Sequence, residues 1–164
     1  MKQSVAELIV LYFVDRLGEV TKTKLAKMLF IADRRYFERT NQTITGFVYR
    51  RSFFGPYPAE LEDVVGSLIV KRLLRQYELV TITPECETVV RYPLVRTERL
   101  VMYDDLDDEQ RQIIDEVVDE FGEMSLDELV EMMCEFEEVK SAEFGEEIIF
   151  TKEEWHEPND TTVQ

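Results

Sequence analysis

The most constraining feature of this sequence is the stretch 24–58, in which the hydrophobic period changes along the chain. Apolar residues first recur at spacings of three and four, the pattern of an amphipathic helix: Leu25, Met28, Leu29, Ala32 and Tyr36. From residue 47 to residue 54 the period becomes two, which is typical of a strand. Gly55, Pro56 and Pro58 should end that strand at a corner, because proline cannot donate a ladder hydrogen bond.

The flanking segments predict further helices and one β-hairpin. Residues 4–17 form a first helix, in which Ser4 caps the N-terminus and Glu7 has capping-box spacing. Thr21 or Thr23 begins the second helix, and a third covers roughly residues 59–76. Residues 77–95 should form a two-stranded ribbon. This order is close to a winged-helix layout, with the ribbon as the wing.

The charge distribution separates the two parts of the chain. Residues 1–103 hold 16 basic and 12 acidic residues, whereas residues 104–164 hold 3 basic and 23 acidic residues. The acidic part predicts a helix over residues 107–121 and another after Ser125, which has Glu128 at the capping-box position. We therefore predict a mainly α fold with a small β element (α+β), in which a helix-turn-helix or winged-helix-like N-terminal part packs with an acidic helix pair. Residues 1–150 form one domain, and residues 151–164 an acidic, flexible tail.

The residues that usually carry catalysis or bind metals are sparse. The single histidine, His156, falls in the predicted tail, and no glycine-rich phosphate loop is present. Cys86 and Cys134 lack metal-ligand spacing, and the acidic clusters lack the spacing of a calcium loop. We expect no enzymatic activity, no cofactor and no metal site. The absence of a secretory signal and of a long apolar run predicts a cytoplasmic protein without a membrane partner.

Three segments carry a resemblance to a known family: KLAKMLFIADRRYF, FFGPYPAEL and LDDEQRQIIDEVVDEFGEMSLDELVEMM. Together they resemble the Panacea domain, the SocA-like family of antitoxins and proteolytic adaptors, over roughly residues 5–142. The resemblance implies a protein partner, either a toxin encoded nearby or a protease. It also implies a structural role for Gly55, Pro56, Tyr57 and Pro58. Where the family pattern has a histidine and then a tryptophan after the last helix, this chain has Cys134 and Val139.

The aromatic and basic strand is the predicted partner-binding site. Arginine and aromatic residues are common anchors of protein interfaces, and this strand supplies both: Tyr49, Arg50, Arg51, Phe53 and Phe54. An ordinary core strand with two solvated arginines is an equally good interpretation of the same pattern. The predicted function is a non-enzymatic, antitoxin-like module that neutralises a toxin by direct contact or acts as a proteolytic adaptor.

A winged-helix transcription regulator is the alternative from another class. It would place the basic residues of the second helix, which should be solvated, on nucleic acid: Lys24, Lys27, Arg34, Arg35 and Arg39. Against this alternative, the basic-leaning part has a net charge of only +4 and is joined to a part with a net charge of −20. The whole chain should therefore bind nucleic acid poorly by itself. The sequence leaves the oligomeric state open.

Overall fold

A computed structural model describes residues 2–151, so that most of the predicted tail, including His156, lies outside the described residues. The helices are α1 (Val5–Leu17), α2 (Lys22–Thr40), α3 (Glu60–Val70), α4 (Asp108–Phe121), α5 (Leu126–Met133) and α6 (Glu137–Lys140). The strands are β1 (Glu19–Val20), β2 (Tyr49–Ser52), β3 (Gly55–Pro58), β4 (Leu74–Gln76), β5 (Leu79–Ile82), β6 (Thr88–Arg91) and β7 (Leu94–Arg96). The mainly helical α+β class is confirmed.

The predicted helix starts are confirmed where a side chain caps the first turn. Ser4 and Glu7 form a complete capping box on α1, and Ser125 and Glu128 form another on α5. Thr21, rather than Thr23, caps α2 by accepting a hydrogen bond from the backbone N–H of Lys24 at 3.3 Å. These local hydrogen bonds fix the helix starts because they satisfy donors that the first turn leaves unpaired.

The strands form one small sheet and two hairpins. Strands β1, β7 and β4 make an antiparallel three-stranded sheet in that order, and β5 pairs with β6 as the predicted ribbon. The third helix is shorter than predicted. It ends at Val70, after which Arg72 adopts a left-handed conformation (φ 62°) and residues 74–76 join the sheet. The finer winged-helix assignment stays a prediction.

The corner predicted after residue 54 is instead a second strand. Strand β3 (Gly55–Pro58) pairs antiparallel with β2, so that Tyr49 faces Pro58 and Ser52 faces Gly55 across a turn formed by Phe53 and Phe54. Proline is tolerated in β3 because this strand pairs only with β2 and needs no donor toward a further strand. The prediction that residues 55–58 end the β structure was therefore wrong.

The hydrophobic core surrounds α2, which is buried on every side from Leu25 to Asp33. Helices α1 and α4 pack against each other, and α2 contacts α4, α5 and the β2–β3 hairpin. The acidic helices therefore pack on the N-terminal helices, as predicted. None of the helices in residues 2–151 is both long and apolar enough to cross a membrane.

Candidate partner-binding surface

Three phenylalanine side chains form an exposed cluster at the β2–β3 turn. Phe53 and Phe54 are 87% and 62% exposed, and Phe144, from the segment after α6, is 61% exposed. The ring centroids of Phe53 and Phe144 lie 5.2 Å apart. We call these three residues the aromatic tip. Exposed apolar patches of this kind commonly mark protein interaction sites.

The turn of the hairpin is held by its own hydrogen bonds. The Ser52 hydroxyl donates to the carbonyl oxygen of Gly55 at 2.6 Å and accepts from the backbone N–H of Phe54 at 3.3 Å. Gly55 has a φ of +85°, a conformation that side chains with a Cβ atom rarely adopt. The two exposed rings therefore project from a turn whose backbone is fixed.

The segment that carries Phe144 is attached to the free edge of β2. Backbone hydrogen bonds join Gly145 N–H to Arg51 O at 2.8 Å, Arg51 N–H to Glu146 O at 3.0 Å, and Ile148 N–H to Tyr49 O at 2.8 Å. The Arg51 guanidinium donates to Ala142 O at 2.7 Å and lies 4.9 Å from the Phe144 ring centroid. Arg51 thus holds the aromatic tip together as well as bordering it.

Tyr49 does not belong to this surface. It is 1% exposed, and its hydroxyl donates to the Asp33 carboxylate at 2.6 Å. That buried carboxylate also accepts from the Ile44 and Thr45 backbone N–H groups and from the Thr45 hydroxyl. Burial raises the pKa of Tyr49 well above its usual value. The prediction of a partner contact for Tyr49 was wrong, because its side chain ties β2 to α2.

Lys27 lies beneath the hairpin rather than on the surface. Its side chain is fully buried, its ammonium donates to Pro56 O at 2.9 Å, and it lies 5.6 Å from the Tyr57 ring centroid. Burial lowers the pKa of Lys27 to about 8. The expectations that Lys27 is solvated and contacts nucleic acid were wrong, because it cannot reach a phosphate from the core.

Three residues of the Gly-Pro-Tyr-Pro motif lie in the protein interior. Gly55, Pro56 and Pro58 are buried, and the hydroxyl of the partly buried Tyr57 donates to Glu62 at 2.6 Å. Together with the hydrogen bond from Lys27 to Pro56, these contacts place the motif between α2 and α3. Its position agrees with the structural role that the resemblance implied.

The other four basic residues assigned to nucleic acid bind groups of the same chain. Arg35 forms a bidentate pair with Glu120 at 2.9 and 2.8 Å, and Arg39 pairs with Glu116 at 2.9 Å. Lys24 donates to Gly122 O at 2.7 Å, at the C-terminal end of α4. These basic side chains attach the acidic α4 to α2.

Arg34 is engaged on the neighbouring side of α2. It donates to the buried carboxylate of Glu138 at 2.7 Å, and its guanidinium lies 3.8 Å from the Phe136 ring centroid. Arg35 and Arg39 also lower the pKa values of the carboxylates they meet, Glu120 and Glu116 respectively. Nucleic acid would have to displace these intramolecular ion pairs, and its phosphates would meet the acidic helices beside them.

The two positions that differ from the family pattern have different environments. Val139 is fully buried, and Cys134 is partly buried at the C-terminal cap of α5. Cys86 is exposed in the turn of the β5–β6 ribbon, and both cysteines are free. Among residues 2–151, no group of three or more histidine, cysteine, aspartate or glutamate residues could hold a metal ion.

The comparison with known families agrees with the resemblance. The family model described as "Antitoxin SocA-like, Panacea domain" matches residues 25–138. This chain therefore belongs to the SocA-like Panacea domain family. No curated protein and no solved structure matches it.

The matched region includes the β2–β3 hairpin but stops before Phe144. Sequence reasoning did not identify Phe144 as part of the surface. The available signal was weak, a single aromatic residue before a glycine in an otherwise acidic segment.

Proposed function

We propose that this chain is a non-enzymatic, antitoxin-type protein-binding module that neutralises a toxin by direct contact through the aromatic tip. The observation that carries the proposal is the exposure of Phe53, Phe54 and Phe144 on a backbone held by hydrogen bonds. Membership of the antitoxin family supports a protein partner of this type. The two free cysteines are consistent with action in the cytoplasm, where thiols stay reduced.

The aromatic tip has suitable chemistry for an interface anchor. Burying one phenylalanine side chain contributes roughly 1.5–3 kcal/mol, and nanomolar binding needs about 12 kcal/mol in total. Three anchored rings and the stacked Arg51 could therefore supply a large part of that free energy. Because the backbone is already ordered, little conformational entropy is lost when the partner docks.

The test is capture of a partner by the tagged full-length protein from its native lysate, washed at about 0.15 M and about 0.5 M salt. The tip variant is Phe53→Ser/Phe54→Ser. The control variant is Val80→Ser/Ile82→Ser, which removes two exposed apolar side chains from the β5–β6 ribbon instead. We expect one stoichiometric protein to survive both washes with the wild type and the control, and to be lost with the tip variant.

Expression of the captured protein alone should arrest growth, and co-expression of the wild type, but not the tip variant, should restore it. Restoration accompanied by loss of the captured protein would support the proteolytic-adaptor role instead of direct neutralisation. A captured protein that binds the tip variant as well as the wild type would refute the aromatic tip as the binding site. Capture of nucleic acid alone, lost at the higher salt, would favour the winged-helix alternative.

A further inference from the structure

A negatively charged cleft lies directly beside the aromatic tip. It has a volume of about 560 Å³, and its lining includes Arg50, Glu137, Glu146, Glu147 and Ile149. Ile149 is 58% exposed. The cleft and the aromatic tip are built on the same segment, since residues 145–147 line the cleft and Phe144 immediately precedes them. A segment that covers the exposed rings would therefore also reach the cleft.

The carboxylates around this cleft have no cationic partner within residues 2–151. All four are exposed and none forms an ion pair there: Glu137, Glu143, Glu146 and Glu147. The contrast is Glu138, which is buried and paired with Arg34. The acidic groups that join the helices are thus neutralised within the chain, whereas those beside the aromatic tip are not.

The two nearby arginines do not neutralise these carboxylates through direct pairs. The Arg50 guanidinium donates to Gly145 O at 3.2 Å, and the Arg51 guanidinium donates to Ala142 O while it lies against Phe144. Both cations are therefore directed at main-chain carbonyl groups. Four carboxylates and two guanidinium groups leave the surface around the rings with a negative charge.

We propose that the partner segment that docks on the aromatic tip is cationic, with lysine or arginine residues flanking an apolar anchor. The proposal rests on the function proposed above and identifies the chemistry of the partner at the same site. The apolar anchor would cover the exposed rings, and the basic side chains would lie over the cleft carboxylates. Complementary charge of this kind speeds association and excludes acidic competitors.

The test uses a displayed library of random peptides of about twelve residues, a length that can cover an extended recognition groove. Peptides are selected on the full-length wild-type protein and counter-selected on the Phe53→Ser/Phe54→Ser variant. Because both proteins have the same net charge, the counter-selection removes peptides that bind only through the general acidity of the molecule. We expect the remaining pool to be enriched in lysine and arginine around an aromatic or aliphatic residue.

A synthetic copy of the selected peptide then tests the carboxylates directly. The Glu137→Gln/Glu147→Gln variant should weaken its binding by about tenfold, a change measurable by fluorescence anisotropy. The matched control, Glu123→Gln/Glu131→Gln, removes the same charge from exposed positions outside the cleft lining and should change binding by less than about twofold.

The outcomes separate this inference from the proposed function. A pool that depends on Phe53 and Phe54 but is neutral or acidic would overturn the cationic segment and leave the aromatic tip as the binding site. Equal weakening by the two glutamine variants would also overturn it, because the cleft carboxylates would then have no special role. A library from which no peptide depends on Phe53 and Phe54 would overturn both proposals.

Discussion

Substitution of Lys27 by methionine should remove a pH dependence of stability that the buried ammonium causes. The Lys27 ammonium has one neutral acceptor, Pro56 O at 2.9 Å, and forms no ion pair among the described residues. Burial lowers its pKa from 10.5 to about 8. Between these two values the unfolded chain binds a proton that the folded protein does not, so the free energy of unfolding rises with pH.

The magnitude follows from the displacement of the pKa. A lowering from 10.5 to about 8 corresponds to a cost of about 3 kcal/mol, which is present in full below pH 8 and is lost near pH 10.5. Methionine keeps an unbranched side chain of similar length without the charge. The carbonyl oxygen of Pro56 then loses its donor, which costs about 1–2 kcal/mol. Near neutral pH, Lys27→Met should therefore be more stable than the wild type by about 1–2 kcal/mol.

Urea unfolding at several values between about pH 7 and pH 9.5 measures this effect. Over the upper part of that range, the wild type should gain about 2 kcal/mol relative to Lys27→Met. The difference between the two proteins isolates Lys27, because the cysteines and tyrosines that also titrate are common to both. Parallel stability curves, or a variant that loses stability at every pH, would refute a buried and destabilised ammonium.

Three other predictions concern the contacts that hold the fold. A double-mutant cycle with Arg35→Gln and Glu120→Gln should give a coupling of about 0.5–1 kcal/mol in urea unfolding, since the pair is partly exposed; a coupling that does not shrink at about 0.5 M salt would contradict it. Asp33→Ala should cost at least about 3 kcal/mol in the same assay, because it leaves buried donors unpaired, and a cost below about 1 kcal/mol would refute this. Phe53→Ser/Phe54→Ser should change the unfolding free energy by less than about 0.5 kcal/mol, because both rings are exposed; a larger loss would assign them to the core.

The helix starts could be predicted because their determinants are local. Ser4 with Glu7, and Ser125 with Glu128, each form a capping box within one helical turn, and neighbouring side chains in sequence decide it. The end of α3 was harder to predict, since residues 71–76 continue a helix-like apolar pattern. Leu73 and Leu74 are buried, but residues 74–76 pair with β7, so a contact distant in sequence decides their conformation.

The candidate site was predicted in part. The exposure of Phe53 and Phe54 follows from their position at a turn, but the sequence did not show that residues 55–58 return as a strand. Alternation alone could not tell which row of β2 faces the core. The buried carboxylate of Asp33, 16 residues before Tyr49, decides that Tyr49 faces inward.

The basic residues of α2 illustrate the same difficulty for charge. Their spacing in the sequence indicated a solvated face, but the carboxylates that bind Arg35 and Arg34 lie 85 and 104 residues further along the chain. Sequence composition gave the net charges of the two parts but not their contact. For Lys27 the sequence gave no sign of burial, since lysine is almost never fully buried.

Hydrogen–deuterium exchange of the full chain, alone and with the partner captured from the lysate, tests the central claim most directly. The partner should slow exchange at the backbone amides of the β2–β3 hairpin and of the segment 142–149, because these carry the aromatic tip and its cleft. Helix α2, whose basic side chains are already paired within the chain, should show little change in its solvent-facing residues. Protection that spares the hairpin and the segment 142–149, and falls instead on α2 or on the β5–β6 ribbon, would contradict the account.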